Sequence, residues 1–205
     1  PNFAVPILKA IHKSDHKILE VYTQPATKSG RGQKLNHSDI FNCAKQLNLN
    51  VRSPNTLKTN EEINHIKKLK PDLVVVAAYG KILPSNLLSI NKLPFINAHA
   101  SLLPKWRGAA PIQRSLINGD QETGVTIMKI VKKLDAGPII SNVKFKIKDD
   151  DTAGKIYERI IKLGNPLLTQ TILEIFKDEF VLTEQKDEDV SYAKKIEKSE
   201  TKIIW

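Results

Sequence analysis

The stretch PDLVVVAAYG, residues 71–80, is a continuous apolar run with the length of a strand rather than of a membrane span. Strands that are covered on both faces of a sheet have this pattern, because neither face requires polar side chains. The run therefore predicts a fully buried strand. The segments on either side of it decide what kind of sheet the strand belongs to.

Segments with helical spacing of apolar residues alternate with strand-like segments on both sides of this run. Helices are predicted over 4–14, 39–48, 60–70, 108–119 and 149–180, and strands over 17–25, 49–54, 93–101, 123–131 and 137–147. The last helix carries Gly164 and Pro166, which predict a kink or a division there. The alternation predicts a Rossmann-like α/β fold, an open and mostly parallel sheet with helices on both faces.

The composition is that of a soluble protein with a basic surface. The chain has 205 residues and a net charge of +10, and its 32 basic residues comprise 27 Lys and 5 Arg. Such a charge favours a polyanionic partner, although a Lys-rich composition also produces it. No apolar run approaches the ~20 residues of a membrane span and no signal pattern opens the chain, so we expect an unexported protein. The lone Cys43 excludes an internal disulfide.

A second stretch, INAHASLLPKWRGAAP at residues 96–111, follows neither helical nor strand periodicity beyond its first residues. Asn97 and His99 are two positions apart on a predicted strand, so their side chains point to the same side at its carboxyl end. Ligands of open α/β sheets bind at that end. An amide beside an imidazole could stabilise an oxyanion at a carbonyl carbon, although both could equally be satisfied structural polar groups.

The motif KLDAGPI, residues 133–139, places Asp135 in the loop after a neighbouring predicted strand. An Asp before Gly and Pro commonly forms a side-chain turn, which is the simpler interpretation. The alternative is that the carboxylate reaches His99, orients its ring and favours its charged form. In that case Asn97, His99 and Asp135 form one catalytic site.

The segment after the Asn-x-His motif combines an apolar wall with basic residues. Ser101, Leu102, Leu103 and Pro104 could hold a flat heteroaromatic ligand or could plug a buried loop. Lys105, Trp106, Arg107 and Arg114 offer cations and a stacking surface that suit a phosphate-bearing or nucleic-acid partner. A solvated loop anchored by one Trp has the same sequence.

The segment SGRGQKL, residues 29–35, lies within a polar stretch that predicts a loop over 26–37. It does not match a dinucleotide fingerprint, because Leu35 replaces the third glycine and no strand leads into it. A flexible loop with Lys28, Arg31 and Lys34 could close over an RNA end. A solvated surface loop would look the same.

Taken together, these motifs resemble the methionyl-tRNA formyltransferases, a branch of the folate-dependent formyltransferases. The resemblance runs essentially from end to end. Three of the motifs are shared with the wider family: Asn-x-His, Ser-Leu-Leu-Pro and Leu-Asp-x-Gly. Two others are typical of the tRNA branch, WRGAAPIQRSL (106–116) and GRGQKL (30–35). It implies formyl transfer from 10-formyltetrahydrofolate, as co-substrate, to the α-amine of initiator methionyl-tRNA. It also implies catalytic residues Asn97, His99 and Asp135, a folate-binding segment at Ser101, Leu102, Leu103 and Pro104, and tRNA contacts from Arg31, Lys34, Lys105 and Arg107.

The resemblance further implies a monomeric enzyme that needs no metal, with the bacterial cytoplasm favoured over the mitochondrial matrix. Family members begin with a central strand and a Gly-Thr turn just before the position of Pro1, so we expect that strand to be absent from the sheet. Residues 1–190 would form the catalytic domain, and residues 191–205 would begin a linker to a smaller β-barrel domain.

Three alternatives remain at this point. A sugar-nucleotide or glycinamide ribonucleotide formyltransferase would use the same Asn-His-Asp site, with GRGQKL arguing against it. A non-catalytic RNA-binding module would explain the charge but not the three polar residues together. A nicotinamide dehydrogenase is disfavoured, because no glycine fingerprint follows a strand.

Overall fold

Helices and strands alternate along the chain in the computed structural model, which describes residues 4–29, 33–90 and 94–202. Two compact units are distinguished, Pro1–Ile96 and Asn97–Trp205. The mixed α/β class expected from the sequence is confirmed, and both units contain pairs of parallel strands. The two units are described in turn.

The first unit contains four helices and the first five strands in its described part. The helices are α1 (Ala4–His12), α2 (Asp39–Gln46), α3 (Asn60–Leu69) and α4 (Ser85–Leu88); the strands are β1 (Val21–Tyr22), β2 (Thr27–Ser29), β3 (Lys34–Asn36), β4 (Val51–Arg52) and β5 (Val74–Val76). The start of β6 (Phe95–His99) closes this unit.

Helices α1, α2 and α3 begin where the sequence predicts, whereas the short helix α4 was not predicted. The Ser38 hydroxyl accepts a hydrogen bond from the Phe41 N–H, and the Thr59 hydroxyl accepts one from the Glu62 N–H. Each cap satisfies a backbone donor that the first helical turn leaves unpaired. Buried side chains of α1, β1 and α2 then form a small core of Leu8, Val21, Cys43 and Ala44.

The sheet of this unit is interrupted. β1 pairs with β4 in parallel, with Val21 opposite Val51, whereas β5 belongs to a different sheet in which its neighbour is β6. Among the described residues, no strand joins the two sheets.

The polar segment over 26–37 differs from its prediction as a loop. Its described residues form an antiparallel hairpin in which Thr27 pairs with Asn36 and Lys28 with Leu35. We call β2 and β3 together the basic hairpin. Its strands are three residues long, too short for alternation to be read from the sequence.

The second unit contains the remaining elements around a single long helix. They are the end of β6, β7 (Arg107–Gly108), α5 (Pro111–Ile117), β8 (Glu122–Lys129), β9 (Ile139–Lys146), α6 (Ala153–Lys177) and β10 (Tyr192–Ala193), with single 3₁₀ turns at Asp187–Asp189 and Lys198–Thr201. β8 lies between β6 and β9, and it pairs with β9 in antiparallel register. β7 and β10 form a separate parallel pair.

The core of this unit lies between β8 and α6. Val125 and Ile127 of β8 and Ile156, Ile160 and Leu168 of α6 are all fully buried. Full burial of each such side chain contributes about 1.5–3 kcal/mol. These contacts hold α6 against β8, whose neighbour in the sheet is β6, the strand that carries His99.

The predicted division of the last helix is wrong, because α6 continues through Gly164 and Pro166. Gly164 lies directly over β8: a Cβ there would be 3.2 Å from both methyl groups of Val125. The glycine therefore permits close packing of helix on sheet rather than ending the helix.

Candidate active site

The Asn-x-His motif lies on β6, the strand that the sequence predicted for it. His99 is the last residue of the strand and only 5% exposed, whereas Asn97 is half-buried. Alternation along the strand directs the two side chains to the same side. Among the described residues, the Asn97 side-chain amide makes no hydrogen bond, so its donors are available to a ligand.

The His99 ring lies between two oxygen atoms. Its Nε2 is 2.8 Å from the Trp106 carbonyl oxygen, and its Nδ1 is 3.8 Å from Asp135 Oδ2. A carbonyl oxygen only accepts, so Nε2 carries the proton and donates it to Trp106. Nδ1 is left facing a carboxylate that is near but beyond hydrogen-bonding distance.

Asp135 is held in an unusual backbone conformation in the loop between β8 and β9. Its φ is +44°, in the left-handed region that residues other than glycine rarely adopt. Its Oδ2 accepts a hydrogen bond of 2.8 Å from the Gly108 N–H, and its side chain is 16% exposed. The carboxylate is thus fixed by one backbone donor while it faces His99.

The structure therefore brings His99 and Asp135 together across 36 positions of sequence, as the sequence predicted. Both rely on residues that sequence reasoning did not single out, the Trp106 carbonyl and the Gly108 N–H. These are backbone groups, whose position no sequence pattern reveals. The short strand β7 that carries Gly108 was also missed.

The Ser101–Pro104 segment is tied to β8 by one buried threonine. Thr126 Oγ1 donates to the Ser101 carbonyl at 2.7 Å and accepts from the Leu103 N–H at 3.1 Å. Thr126 is 1% exposed, and a polar residue within the apolar run of β8 was a signal that could have been noticed.

Within this segment the side chains divide into two sets. Ser101 is fully buried, its hydroxyl donates to the Lys105 carbonyl at 2.6 Å, and Leu103 is also buried. Leu102 and Pro104 are half-buried, and the Leu103–Pro104 peptide is cis. A ligand here would meet Leu102, Pro104 and backbone groups, whereas the Ser101 hydroxyl is already used inside the loop.

The predicted tRNA-binding residues have different surroundings. Lys34 on the basic hairpin and Lys105 are exposed, and Arg31 lies outside the described residues. Arg107 contradicts its prediction: its side chain is 1% exposed and donates from Nε and Nη2 to Gln185 Oε1. A guanidinium that is buried in this way cannot offer its charge to a phosphate group.

Arg114, the further cation noted in the sequence, is paired with a carboxylate. Its Nη1 and Nη2 donate to Glu200 at 2.7 and 3.0 Å, and Nε donates to the Lys194 carbonyl. The hydrogen bonds from Arg114, with a second from the Glu197 backbone, lower the pKa of Glu200 to about 2. Arg114 therefore holds the residues after β10 on the second unit.

The described residues contain no group of three or more His, Cys, Asp or Glu side chains arranged to hold a metal ion. In the part of the chain that the structure describes, no helix combines the length and the apolar character that crossing a bilayer requires.

The chain is similar to known proteins both in sequence and in fold. The family model described as "Formyl transferase" matches residues 1–172. The chain is 50% identical over 206 aligned residues to the methionyl-tRNA formyltransferase of Pelagibacter ubique (strain HTCC1062), covering 100% of this chain and 66% of that protein. The chain thus spans about two thirds of the length of this relative.

Solved structures with the same fold are more distant in sequence. A sugar 3N-formyltransferase crystallised with dTDP and 5-N-formyl-THF has a TM-score of 0.69 at 22% identity, over 93% of this chain and 65% of that one. The phosphoribosylglycinamide formyltransferase of Streptococcus pneumoniae TIGR4 also has a TM-score of 0.69 at 22% identity, over 83% and 92%. With the family model matching most of its length, the chain belongs to the formyl transferase family.

Proposed function

We propose that the protein transfers a formyl group from 10-formyltetrahydrofolate to the α-amine of initiator methionyl-tRNA. The observation that carries this choice is the 50% identity, over the whole chain, to a methionyl-tRNA formyltransferase. The solved sugar and phosphoribosylglycinamide formyltransferases share the fold at 22% identity. The higher sequence identity to the methionyl-tRNA enzyme favours the same acceptor for this protein, whereas a shared fold alone does not specify an acceptor.

The proposed reaction is direct acyl transfer at the His99–Asp135 pair. The neutral amine forms a bond to the formyl carbon, the carbon–N10 bond of the folate breaks, and one proton passes from the amine to the leaving nitrogen. Negative charge develops on the formyl oxygen, where the unpaired Asn97 amide is suited to donate a hydrogen bond. His99 would donate to the same oxygen or move the proton through Nδ1, because its Nε2 proton is held by the Trp106 carbonyl, and Asp135 would orient the ring.

The folate co-substrate would lie along the Ser101–Pro104 segment. The half-buried Leu102 and Pro104 give an apolar surface, and Thr126 fixes the backbone beneath it. This combination suits a flat, hydrogen-bonding ring. The side-chain contribution of Ser101 to such binding would be indirect, through the conformation of the loop.

The acceptor tRNA would be held partly by exposed lysines. Within the part of the chain that the structure describes, Lys34 and Lys105 form no ion pair of the kind that holds Arg114, and Arg31 completes the proposed set. We also propose that the protein acts as a monomer in the bacterial cytoplasm and that its reaction needs no metal.

We propose further that residues 1–190 form most of the catalytic domain of a longer protein, with residues 191–205 beginning the connection to a second domain. The 66% coverage of the Pelagibacter relative supports this division. β10 and the Arg114–Glu200 contact attach residues 191–200 to the second unit, so such a connection would start on its surface.

The test is formylation by the full-length protein that contains this chain. Charged initiator tRNA, a dTDP-amino sugar and glycinamide ribonucleotide are each offered with 10-formyltetrahydrofolate, and the formylated product is measured. Formylation of methionyl-tRNA alone is expected. Formylation of a sugar or of glycinamide ribonucleotide instead would reverse the choice of acceptor, and salt-dependent tRNA binding without folate binding would make the protein an RNA-binding module.

A further inference from the structure

Gln185 makes four hydrogen bonds beside the His99–Asp135 pair. Its Nε2 donates to the Asp135 carbonyl at 2.9 Å and to the Gly137 carbonyl at 2.7 Å. Its Oε1 accepts from Arg107 Nε at 3.0 Å and from Arg107 Nη2 at 2.7 Å. The amide is therefore saturated on both ends, although it lies outside residues 1–172, the range that the family model matches.

A primary amide is the side chain that this position requires. Arginine only donates and a carbonyl oxygen only accepts, so the partners fix which end of Gln185 faces which. A glutamate would place a carboxylate oxygen against two carbonyl oxygens. An apolar side chain would leave the Arg107 guanidinium, which is 1% exposed, without its acceptor.

Through Gln185, the segments that hold the two catalytic groups are joined. Arg107 lies between Trp106, whose carbonyl accepts from His99, and Gly108, whose N–H donates to the Asp135 carboxylate. Gln185 links the Arg107 side chain to the Asp135 backbone. One amide that contacts neither catalytic side chain therefore bridges the segments that hold His99 and Asp135.

This link matters because the Asp135 backbone has a left-handed conformation that must be held in place. A left-handed conformation at a residue other than glycine costs about 1 kcal/mol or more, and it persists only where neighbouring contacts hold it. At Asp135 those contacts are the Gly108 N–H to the carboxylate and the Gln185 amide to the carbonyl. Without the second, the loop is free to relax and to carry the carboxylate away from His99.

We propose that Gln185 is a positioning residue for formyl transfer, which sets the distance between His99 and Asp135 through the Arg107 guanidinium and the Asp135 backbone. The inference rests on the proposed function for its kinetic consequence. Its structural consequence, a change in the surroundings of the His99 ring, can be measured without any substrate.

The first experiment compares Gln185→Met with the wild-type full-length protein. We expect kcat to fall by about a hundredfold, as small displacements of a catalytic group typically cause, with little change in KM for folate or tRNA. The pH profile of kcat should shift as well, and so should the titration of the His99 imidazole followed by NMR without substrate. Gln121→Met is the matched control, because Gln121 is exposed and bonds only the nearby Gly119 carbonyl through its side chain.

A double variant separates positioning from simple stability. Arg107→Met with Gln185→Met replaces a buried polar pair by two apolar side chains, so it should recover melting temperature lost in Gln185→Met. The positioning role predicts that kcat and the His99 titration remain altered in the double variant. Recovery of both together with the melting temperature would show that Gln185 only accepts the hydrogen bonds of the buried Arg107 guanidinium, and would overturn the proposal.

The two proposals fail in different ways. If the wild-type protein formylates none of the acceptors, the proposed function fails, and the NMR titration still decides the role of Gln185. If formylation is normal and Gln185→Met leaves both kcat and the His99 titration unchanged, the positioning role is wrong while the proposed function stands.

Discussion

The basic hairpin and the segment 97–108 were both predicted to meet substrate, yet they are built in opposite ways. In the segment, His99, Ser101 and Arg107 are buried and bonded to backbone or side-chain groups of the second unit. In the hairpin, the described side chains of both strands are exposed and the strands pair mainly with each other.

The difference suggests different functions for the two regions. Buried, multiply bonded groups are held in place before a substrate arrives, which is what stabilisation of a transition state requires. Exposed lysines on a short hairpin cannot position atoms, but they can attract a polyanion. We therefore expect substitutions in the segment to affect turnover or folding, and substitutions in the hairpin to affect acceptor affinity alone.

The largest effect is expected at Asn97, whose side-chain amide has no hydrogen-bond partner among the described residues. Asn97→Ala in the full-length protein should lower turnover by about two to three powers of ten, since one oxyanion donor is lost. Single-turnover formylation with saturating substrates measures this. Asn142→Ala, an exposed amide on β9, should behave as the wild type. Near-normal formylation by Asn97→Ala would remove the proposed role.

The next effect concerns the packing that supports the segment. At Gly124 on β8, an added Cβ would overlap the Val143 carbonyl oxygen and lie 2.6 Å from Leu102 Cδ2. Gly124→Ala should therefore cost about 1–3 kcal/mol of the free energy of unfolding, as overpacking typically does. Urea unfolding measures this.

The matched control for that variant is Gly154→Ala, in the first turn of α6. A Cβ there would meet only Thr152 Oγ1, at 3.7 Å, and alanine favours a helix. Unfolding free energy should be unchanged or slightly higher. Equal losses in both variants would show that the close packing around Leu102 does not matter for stability.

A smaller effect is expected in the basic hairpin. Lys34→Ala should raise KM for methionyl-tRNA severalfold and reduce the salt dependence of tRNA binding by about one unit of slope, as loss of one phosphate contact does. Turnover, the KM for folate and the melting temperature should stay as in the wild type. Lys162→Ala, exposed on α6, is the control. A fall in turnover instead would break the distinction between the two regions.

The smallest effect concerns the contact that anchors the residues after β10. Because Arg114 lowers the pKa of Glu200 to about 2, the ionised carboxylate stabilises the folded chain above the ordinary pKa of 4.5. That contribution is lost as the pH falls through about 2. Glu200→Gln should therefore melt slightly earlier than the wild type at pH 7. The difference should shrink between pH 4.5 and 2; a difference independent of pH would exclude this cause.

Much of the framework of this fold was readable from sequence. The predicted helix starts at Asp39 and Asn60 are confirmed, and the strand predicted over 137–147 forms and pairs with β8. These features depend on neighbours in sequence, for which side-chain chemistry and periodicity are sufficient. The polar loop predicted over 26–37 and the division predicted in α6 were wrong for the same kind of reason: a pairing or packing partner overrode the local pattern.

The residues of the candidate site were likewise predicted only in part. Residue type and order made Asn97, His99 and Asp135 candidates for one site, and the family resemblance favoured that prediction over the simpler structural interpretations. The structure places His99 beside Asp135. Gln185 and Thr126 were not predicted. Their function depends on backbone groups up to 50 positions away, as with Gln185 and the Asp135 carbonyl.

By itself the sequence determined the class of fold, the helix starts and the types of side chain available for chemistry, because these depend on composition and on short-range spacing. Only the tertiary structure decided that Arg107 is an internal support rather than a surface cation. It also paired β7 with β10, so that Arg107 lies opposite Tyr192 in a parallel strand pair. Burial and long-range hydrogen bonds determine these outcomes, and both depend on which distant segments meet.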